Sequence, residues 1–233
     1  MIKKILKALP WIGLITILII WGIFLWNRID FMLDSDMSSE LILGKLLSTE
    51  KGILTDKWFY STELRVLNTQ IIFKLLFGIF DNWHTVRCLS SIILALLLLG
   101  SFYYLLRQLR CDCFPFAAIC LILNFSDLYF YLVLQGLYYI PHICISFLTV
   151  GMIIQYRKSD NILLNRILFI IMSLLAVLSG LGGLRQILVL YLPLLCASVF
   201  WAIFAPPQFI VCKNKICRCL CRYFYYGNDR LCD

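Results

Sequence analysis

Residues 31–41 read FMLDSDMSSEL. Three carboxylates, Asp34, Asp36 and Glu40, stand there just after an apolar run from Trp11 to Trp26. Asp36 and Glu40 are four apart and share a face if the segment is helical. Asp34 stands two residues before Asp36, where a membrane span would hand over to that helix. The arrangement aims several carboxylates at one spot near a membrane surface. Such a cluster can hold a divalent cation through its oxygens. One carboxylate can instead act as a general base. The bland alternative is helix capping, because acidic side chains are favourable at a helix N-terminus. A calcium loop is excluded on detail. Counted from Asp34, its sixth position is Ser39 rather than Gly, and its twelfth is Lys45 rather than Glu.

Two later stretches carry further polar groups. QGLYYIPH, residues 135–142, brings Tyr138, Tyr139 and His142 to a turn between apolar runs. They can bind a substrate there, or form an interfacial aromatic belt with a hydrogen-bonded His. SGLGGLRQ, residues 179–186, sets Arg185 behind three glycines that let the backbone turn sharply. The planar guanidinium suits a phosphate group, either of a substrate or of a lipid headgroup. Asp127 falls inside the third apolar run. A charge within a span costs at least ~2.5 kcal/mol, so it needs a partner or a water-filled cavity unless it lies near the outer end.

The elements that must position these groups are membrane spans. The chain is 62% hydrophobic and 15% charged, against roughly 45–50% apolar in a soluble domain. Its mean hydropathy of +0.88 agrees. A net charge of +8 is then read as membrane topology rather than nucleic-acid binding. Six segments qualify as spans: residues 9–26, 88–106, 114–134, 140–156, 162–180 and 187–205. The first follows Lys3, Lys4 and Lys7 as in a signal peptide, but it is long and Trp-rich and lacks a small-residue cleavage site. It is read as a retained span.

The basic residues set the orientation. With the N-terminus inside, the inner segments hold Lys3, Lys4 and Lys7, then Arg107 and Arg110, then Arg157, Lys158 and Arg166, and a tail with five more. The expected protein is a multi-pass protein of the cell (plasma) membrane with both termini cytoplasmic. Residues 1–205 form its membrane module and 206–233 a basic, Cys-rich tail. The cysteines avoid the first outer loop, so reduced thiols are expected rather than a disulfide framework. The tail's C-x-C-x-C spacing is tighter than a zinc site needs.

That first outer loop, residues 27–87, is large and contains no Pro. A helix is predicted from about Asp36 to Leu47, with Ser35 or Asp36 as N-cap. A second is predicted to start at Ser61 or Thr62, with Leu64, Leu67, Ile71 and Leu75 on one face. Trp58, Phe59 and Tyr60 would anchor it at the membrane surface. The predicted fold is all-α: a polytopic membrane helical bundle with amphipathic surface helices in its first outer loop.

MLDSDMSSEL, YSTELRVLNTQ, QGLYYIPH and SGLGGLRQ, taken together in this order, resemble outer segments of the GT-C membrane glycosyltransferases. The resemblance covers about Trp11 to Ala205 and implies the N-terminal membrane module of such an enzyme, either active or a truncated copy. It implies sugar transfer from a polyprenyl-phosphate-linked donor to an acceptor on the outer side. It implies catalysis by Asp34 or Asp36, with Asp34 slightly preferred as nearer the membrane. Asp36 and Glu40 would position substrate or a divalent metal, Glu63 would support them, and Arg185 would bind the donor phosphate. The competing expectation is a non-enzymatic transporter or assembly subunit, motivated by Asp127.

Overall fold

The structure is a computed structural model that describes residues 2–60, 66–123 and 126–204. Glu63 and the tail 206–233 lie outside the described residues. Those described are helices and connecting turns, with no strand among them, so the fold is an all-α bundle. In order they are α1 (Ile2–Arg28), α2 (Ser35–Glu50), α3 (Gln70–Phe77), α4 (Trp83–Gln108), α5 (Phe114–Ile122), α6 (Asp127–Tyr129), α7 (Ile140–Lys158), α8 (Ile162–Leu181), α9 (Leu184–Gln186) and α10 (Leu192–Phe204). Single π-helical stretches, Phe130–Gln135 and Ile187–Tyr191, continue α6 and α9.

Five helical segments among the described residues are long and apolar enough to cross a membrane: Ala8–Met32, Trp83–Gln108, Ile140–Lys158, Ile162–Leu181 and Leu184–Trp201. They match five of the six expected spans. A span needs about 20 residues at 1.5 Å rise each. The sixth expected span, residues 114–134, is a bent pair of helices, either one broken span or a re-entrant loop. Phe114–Ile122 and Asp127–Gln135 meet at a bend of 92°. Ser126 makes the new start, because its side chain accepts the Tyr129 amide at 3.4 Å as an N-cap. Asp127 therefore opens a helix and is exposed, rather than lying buried in mid-span.

α4 is the central element and packs against α7, α3, α5 and α1. The Tyr104 hydroxyl on α4 donates to Gln155 Oε1 on α7 at 2.5 Å. α8, by contrast, leaves Ile162, Leu163, Phe169, Ile170, Leu174 and Val177 exposed, as suits a helix bathed in lipid. One buried cluster runs from Leu14 on α1 through Leu41 on α2, Phe73 and Phe77 on α3, and Val86 and Leu98 on α4 to Ile140 on α7. The first loop is thus seated on the bundle.

α2 buries Met37, Glu40, Leu41, Leu43, Gly44 and Leu47 and packs against α3. Each fully buried Leu or Phe outside the membrane stabilises that seat by about 1.5–3 kcal/mol. The predicted start of the second loop helix, Ser61 or Thr62, lies outside the described residues, and α3 begins at Gln70. Residues 66–68 form bends, and helical spacing extends only from there. Its inward face is Gln70, Phe73, Leu76 and Phe77, while Leu75 is 62% exposed. The stretch QIIFKLLF is apolar on nearly every side, so periodicity alone does not select the face.

The chain divides into two compact units, Met1–Ile187 and Leu188–Asp233. The second unit contains α10, whose Leu195, Phe200, Trp201, Ile203 and Phe204 are exposed.

Candidate functional site

The acidic stretch forms an elbow. α1 ends at Arg28, a 3-10 turn follows over Ile29–Met32, and Leu33 and Asp34 are extended. The extended backbone lets Asp34 fold its side chain over the first turn of α2, where Oδ1 accepts the Met37 amide at 2.7 Å. The N-cap is therefore Asp34, not Ser35 or Asp36. Two tyrosines complete its shell. The Tyr138 hydroxyl donates to Oδ1 at 2.9 Å, and the Tyr131 hydroxyl donates to Oδ2. Partial burial pushes the Asp34 carboxyl up, but these hydrogen bonds, with one from the Asp36 amide, outweigh it and hold the group below the usual carboxylate range. Burial, and then the bond to Asp34, push the Tyr138 hydroxyl well above the usual phenol range, so it stays a neutral donor.

The elbow rests on Arg87, a residue that the sequence reading did not single out. Its side chain is buried in the first turns of α4. Nη1 donates to the Ile29 carbonyl at 2.7 Å, and Nη2 lies 3.3 Å from the Met32 carbonyl and 2.9 Å from Met37 Sδ. Gln135 Nε2 donates to the same Met32 carbonyl at 2.9 Å. These donors satisfy the carbonyls that a helix end leaves open. A signal for Arg87 existed: it directly precedes the apolar run of α4, where a cation must find acceptors or reach water.

Beside the elbow lies a cavity of about 330 Å³. Asp36 and Glu40 reach it from α2, Tyr131 and Tyr138 from the α6–α7 connection, and Tyr139 and His142 from the start of α7. Arg185 and Gly182 close it from the α8–α9 turn, and Trp58, Phe59 and Tyr60 from the first loop. Of the predicted site residues, the structure gathers Asp36, Glu40, Tyr138, Tyr139, His142 and Arg185 around one space. Asp34 stands just behind it, holding two of the tyrosines. Both Asp34 oxygens are engaged by donors, while Asp36 is exposed and lines the cavity. Glu40 is buried and accepts the Thr69 hydroxyl, which ties α2 to the start of α3.

Local backbone geometry explains the convergence. A Cβ on Gly136 would fall 2.4 Å from the Tyr138 ring and 2.8 Å from the Tyr131 carbonyl, so only glycine lets Tyr138 fold back onto Asp34. Gly183 adopts φ 104°, a conformation open mainly to glycine, and this turn presents Arg185. The Arg185 guanidinium lies 4.9 Å from the centroid of the Tyr139 ring. Its neighbour Gln186 is 2% exposed and donates to the His142 carbonyl at 3.2 Å and to Ser146 Oγ at 3.0 Å. Gln186, also unforeseen, thereby pins the turn to α7.

A divalent cation needs more than this site offers on its own. No group of three His, Cys, Asp or Glu side chains able to share a metal occurs among the described residues. Of the expected pair, Glu40 is bonded to Thr69. The donor set does not fit a dedicated metal centre. What the cavity does combine is an exposed carboxylate, a guanidinium stacked on an aromatic ring, and several hydroxyl and aromatic faces. The chain matches no protein-family model, and comparison with curated proteins and with solved structures gives no match.

Proposed function

We propose that the cavity binds a polyprenyl-phosphate-linked sugar and that the protein transfers the sugar to a hydroxyl acceptor on the extracytoplasmic side of the cell membrane. The observation that carries the reading is the meeting of Asp36 and Arg185, 149 residues apart by their numbers, on one cavity. This is the pairing that a lipid-phosphate donor and a polar acceptor require. The resemblance of four outer segments to GT-C glycosyltransferases supports the same reading.

In this reading Asp36 takes the proton of the acceptor hydroxyl as its oxygen forms a bond to the anomeric carbon. The bond from that carbon to the phosphate oxygen breaks, and polyprenyl phosphate leaves with the electron pair. Arg185 receives the phosphate through charge-assisted hydrogen bonds, which strengthen as charge develops on the leaving group. The aromatic walls stack on sugar faces and exclude water. Asp34 serves the base indirectly, by capping α2 and holding Tyr131 and Tyr138 in place.

The test is sugar transfer by the purified full chain in lipid nanodiscs, over a panel of polyprenyl-phosphate sugars. Transfer or release by the wild type, and its loss in a folded Asp36→Asn variant, is the expected result. Activity unchanged in both Asp36→Asn and Arg185→Ala would overturn the assignment, as would a wild type inert toward every donor.

A further inference from the structure

A second cluster of reactive groups lies away from the cavity, in the connection between α4 and α5. The sequence there is Arg110-Cys111-Asp112-Cys113, ending where α5 begins at Phe114. Arg110 has φ 58°, a left-handed turn that reverses the chain straight after α4. The reversal brings both cysteine side chains to one side, with Cys111 Sγ 3.0 Å from Cys113 Sγ. Both are free and exposed. Of the other described cysteines, Cys88 and Cys144 are buried, and Cys120 and Cys196 sit on the apolar helices α5 and α10.

We propose that Cys111 and Cys113 form a thiol–disulfide exchange site that takes a small disulfide such as oxidised glutathione. A disulfide needs the two sulfurs at about 2.05 Å, so the pair must close by only about 1 Å. The hydrogen bond from the Cys113 thiol holds Cys111 below the ordinary thiol range, with help from the Cys113 backbone amide and against the nearby charge of Asp112. The nucleophile is thus the exposed Cys111, and the resolving thiol is already in contact with it. Cys111 thiolate attacks one sulfur of the small disulfide, forming a mixed disulfide and expelling one thiolate. Cys113 then loses its proton and attacks the Cys111 sulfur, expelling the second. Two cysteine thiols are oxidised, and one small disulfide is reduced to two thiols, which carry off the two protons. A loop with a single intervening residue favours ready reversal over a permanent cross-link.

The site is tied to the bundle through its neighbours. Phe114, next to Cys113, packs against Trp11 of α1 at 5.7 Å and Tyr103 of α4 at 5.0 Å between ring centroids. The Gln108 carbonyl, three residues before Cys111, accepts from Lys158 at the end of α7.

The test uses the full chain in detergent, treated with oxidised glutathione, blocked with iodoacetamide and digested with trypsin and chymotrypsin. The peptide CDCFPF, residues 111–116, reports the pair. It should carry two alkyl groups in the reduced protein. After oxidation it should carry none and be two hydrogens lighter, returning to the first form with dithiothreitol. In Cys113→Ala, Cys111 should instead end as a lasting mixed disulfide with glutathione, and its alkylation near neutral pH should slow several-fold. Lasting glutathione adducts on the wild-type peptide, a bond from it to a tail cysteine, or an unchanged Cys111 rate in Cys113→Ala would each overturn the proposal.

Discussion

The hydroxyl of Tyr138 lies 2.9 Å from Oδ1 of Asp34, across 104 residues of chain. The same oxygen accepts the Met37 amide at the first turn of α2. One carboxylate thus joins the helix that carries Asp36 to the connection that carries the cavity's tyrosines. The neighbouring acids differ in setting: Asp34 caps α2 and accepts from two tyrosines, and Asp36 faces the open space.

This contrast predicts different phenotypes for the two acids. Asp36→Asn should lower sugar transfer by about 10²–10⁴-fold, the usual contribution of a general base, with an unchanged melting temperature. Asp34→Ala should lose about 1–2 kcal/mol of stability from the missing cap and lower activity as a consequence. Thermal unfolding in detergent beside transfer assays separates them. Equal loss of stability in both variants would count against the assignment.

Asp34 also predicts an acid-sensitive fold. Its carboxyl lies lower in the folded protein than in the unfolded chain, so the stability it contributes is present above the unfolded value of about 3.9 and is lost as pH falls through the folded value. The wild type should lose melting temperature below about pH 4. Asp34→Asn, which has no proton to gain, should show a shallower decline over the same range.

Arg185 stacks on Tyr139 and lines the cavity opposite α2. Arg185→Lys keeps the charge but loses the planar fork and the stacked face. It should raise the KM for a polyprenyl-phosphate donor by about tenfold, equivalent to about 1.4 kcal/mol. An unchanged donor KM would place the phosphate elsewhere.

Gly136→Ala should drive the Tyr138 ring off Asp34, because the new Cβ meets both the ring and the Tyr131 carbonyl. Overpacking of this kind costs about 1–3 kcal/mol. Tyr138→Phe, which removes only the hydroxyl, should cost less. The reverse order of the two melting temperatures would refute the steric account.

Arg87→Met keeps an apolar stem but removes the guanidinium donors to the Ile29 and Met32 carbonyls, leaving only Gln135 on the latter. Hydrogen bonds from a charged group are worth about 1.5–3 kcal/mol, and the loss should appear as a lower unfolding midpoint. Chemical denaturation of the two proteins in the same detergent measures it.

Much of this architecture was legible from sequence, for reasons that are local. Runs of about 20 apolar residues mark spans because lipid leaves few alternatives, and five of six were placed within a few residues. The bend before Asp127 was hidden because a few polar residues, Ser126 and Asp127 among them, interrupt an otherwise apolar run without stating a direction, which a cap from Ser126 sets. The inward face of α3 was hidden because QIIFKLLF is apolar on nearly all sides. At the site, residue types in three turns pointed to one cavity, and those turns converge. The different settings of Asp34 and Asp36 were not legible, because they depend on what reaches each from Tyr131, Tyr138 and the folded elbow. Arg87 and Gln186 escaped notice for the same reason: each acts on backbone carbonyls that a sequence does not place.

The span of chain between Asp34 and its two tyrosines sets an order of assembly. During synthesis α1, α2 and α4 leave the ribosome well before residue 131, and until then Asp34 has donors only from its own helix. Contacts this distant in sequence close late, after local helices have formed. The acidic elbow is therefore finished by the arrival of a later segment, and a nascent chain stopped before Tyr131 holds the carboxylates without the tyrosines that frame them.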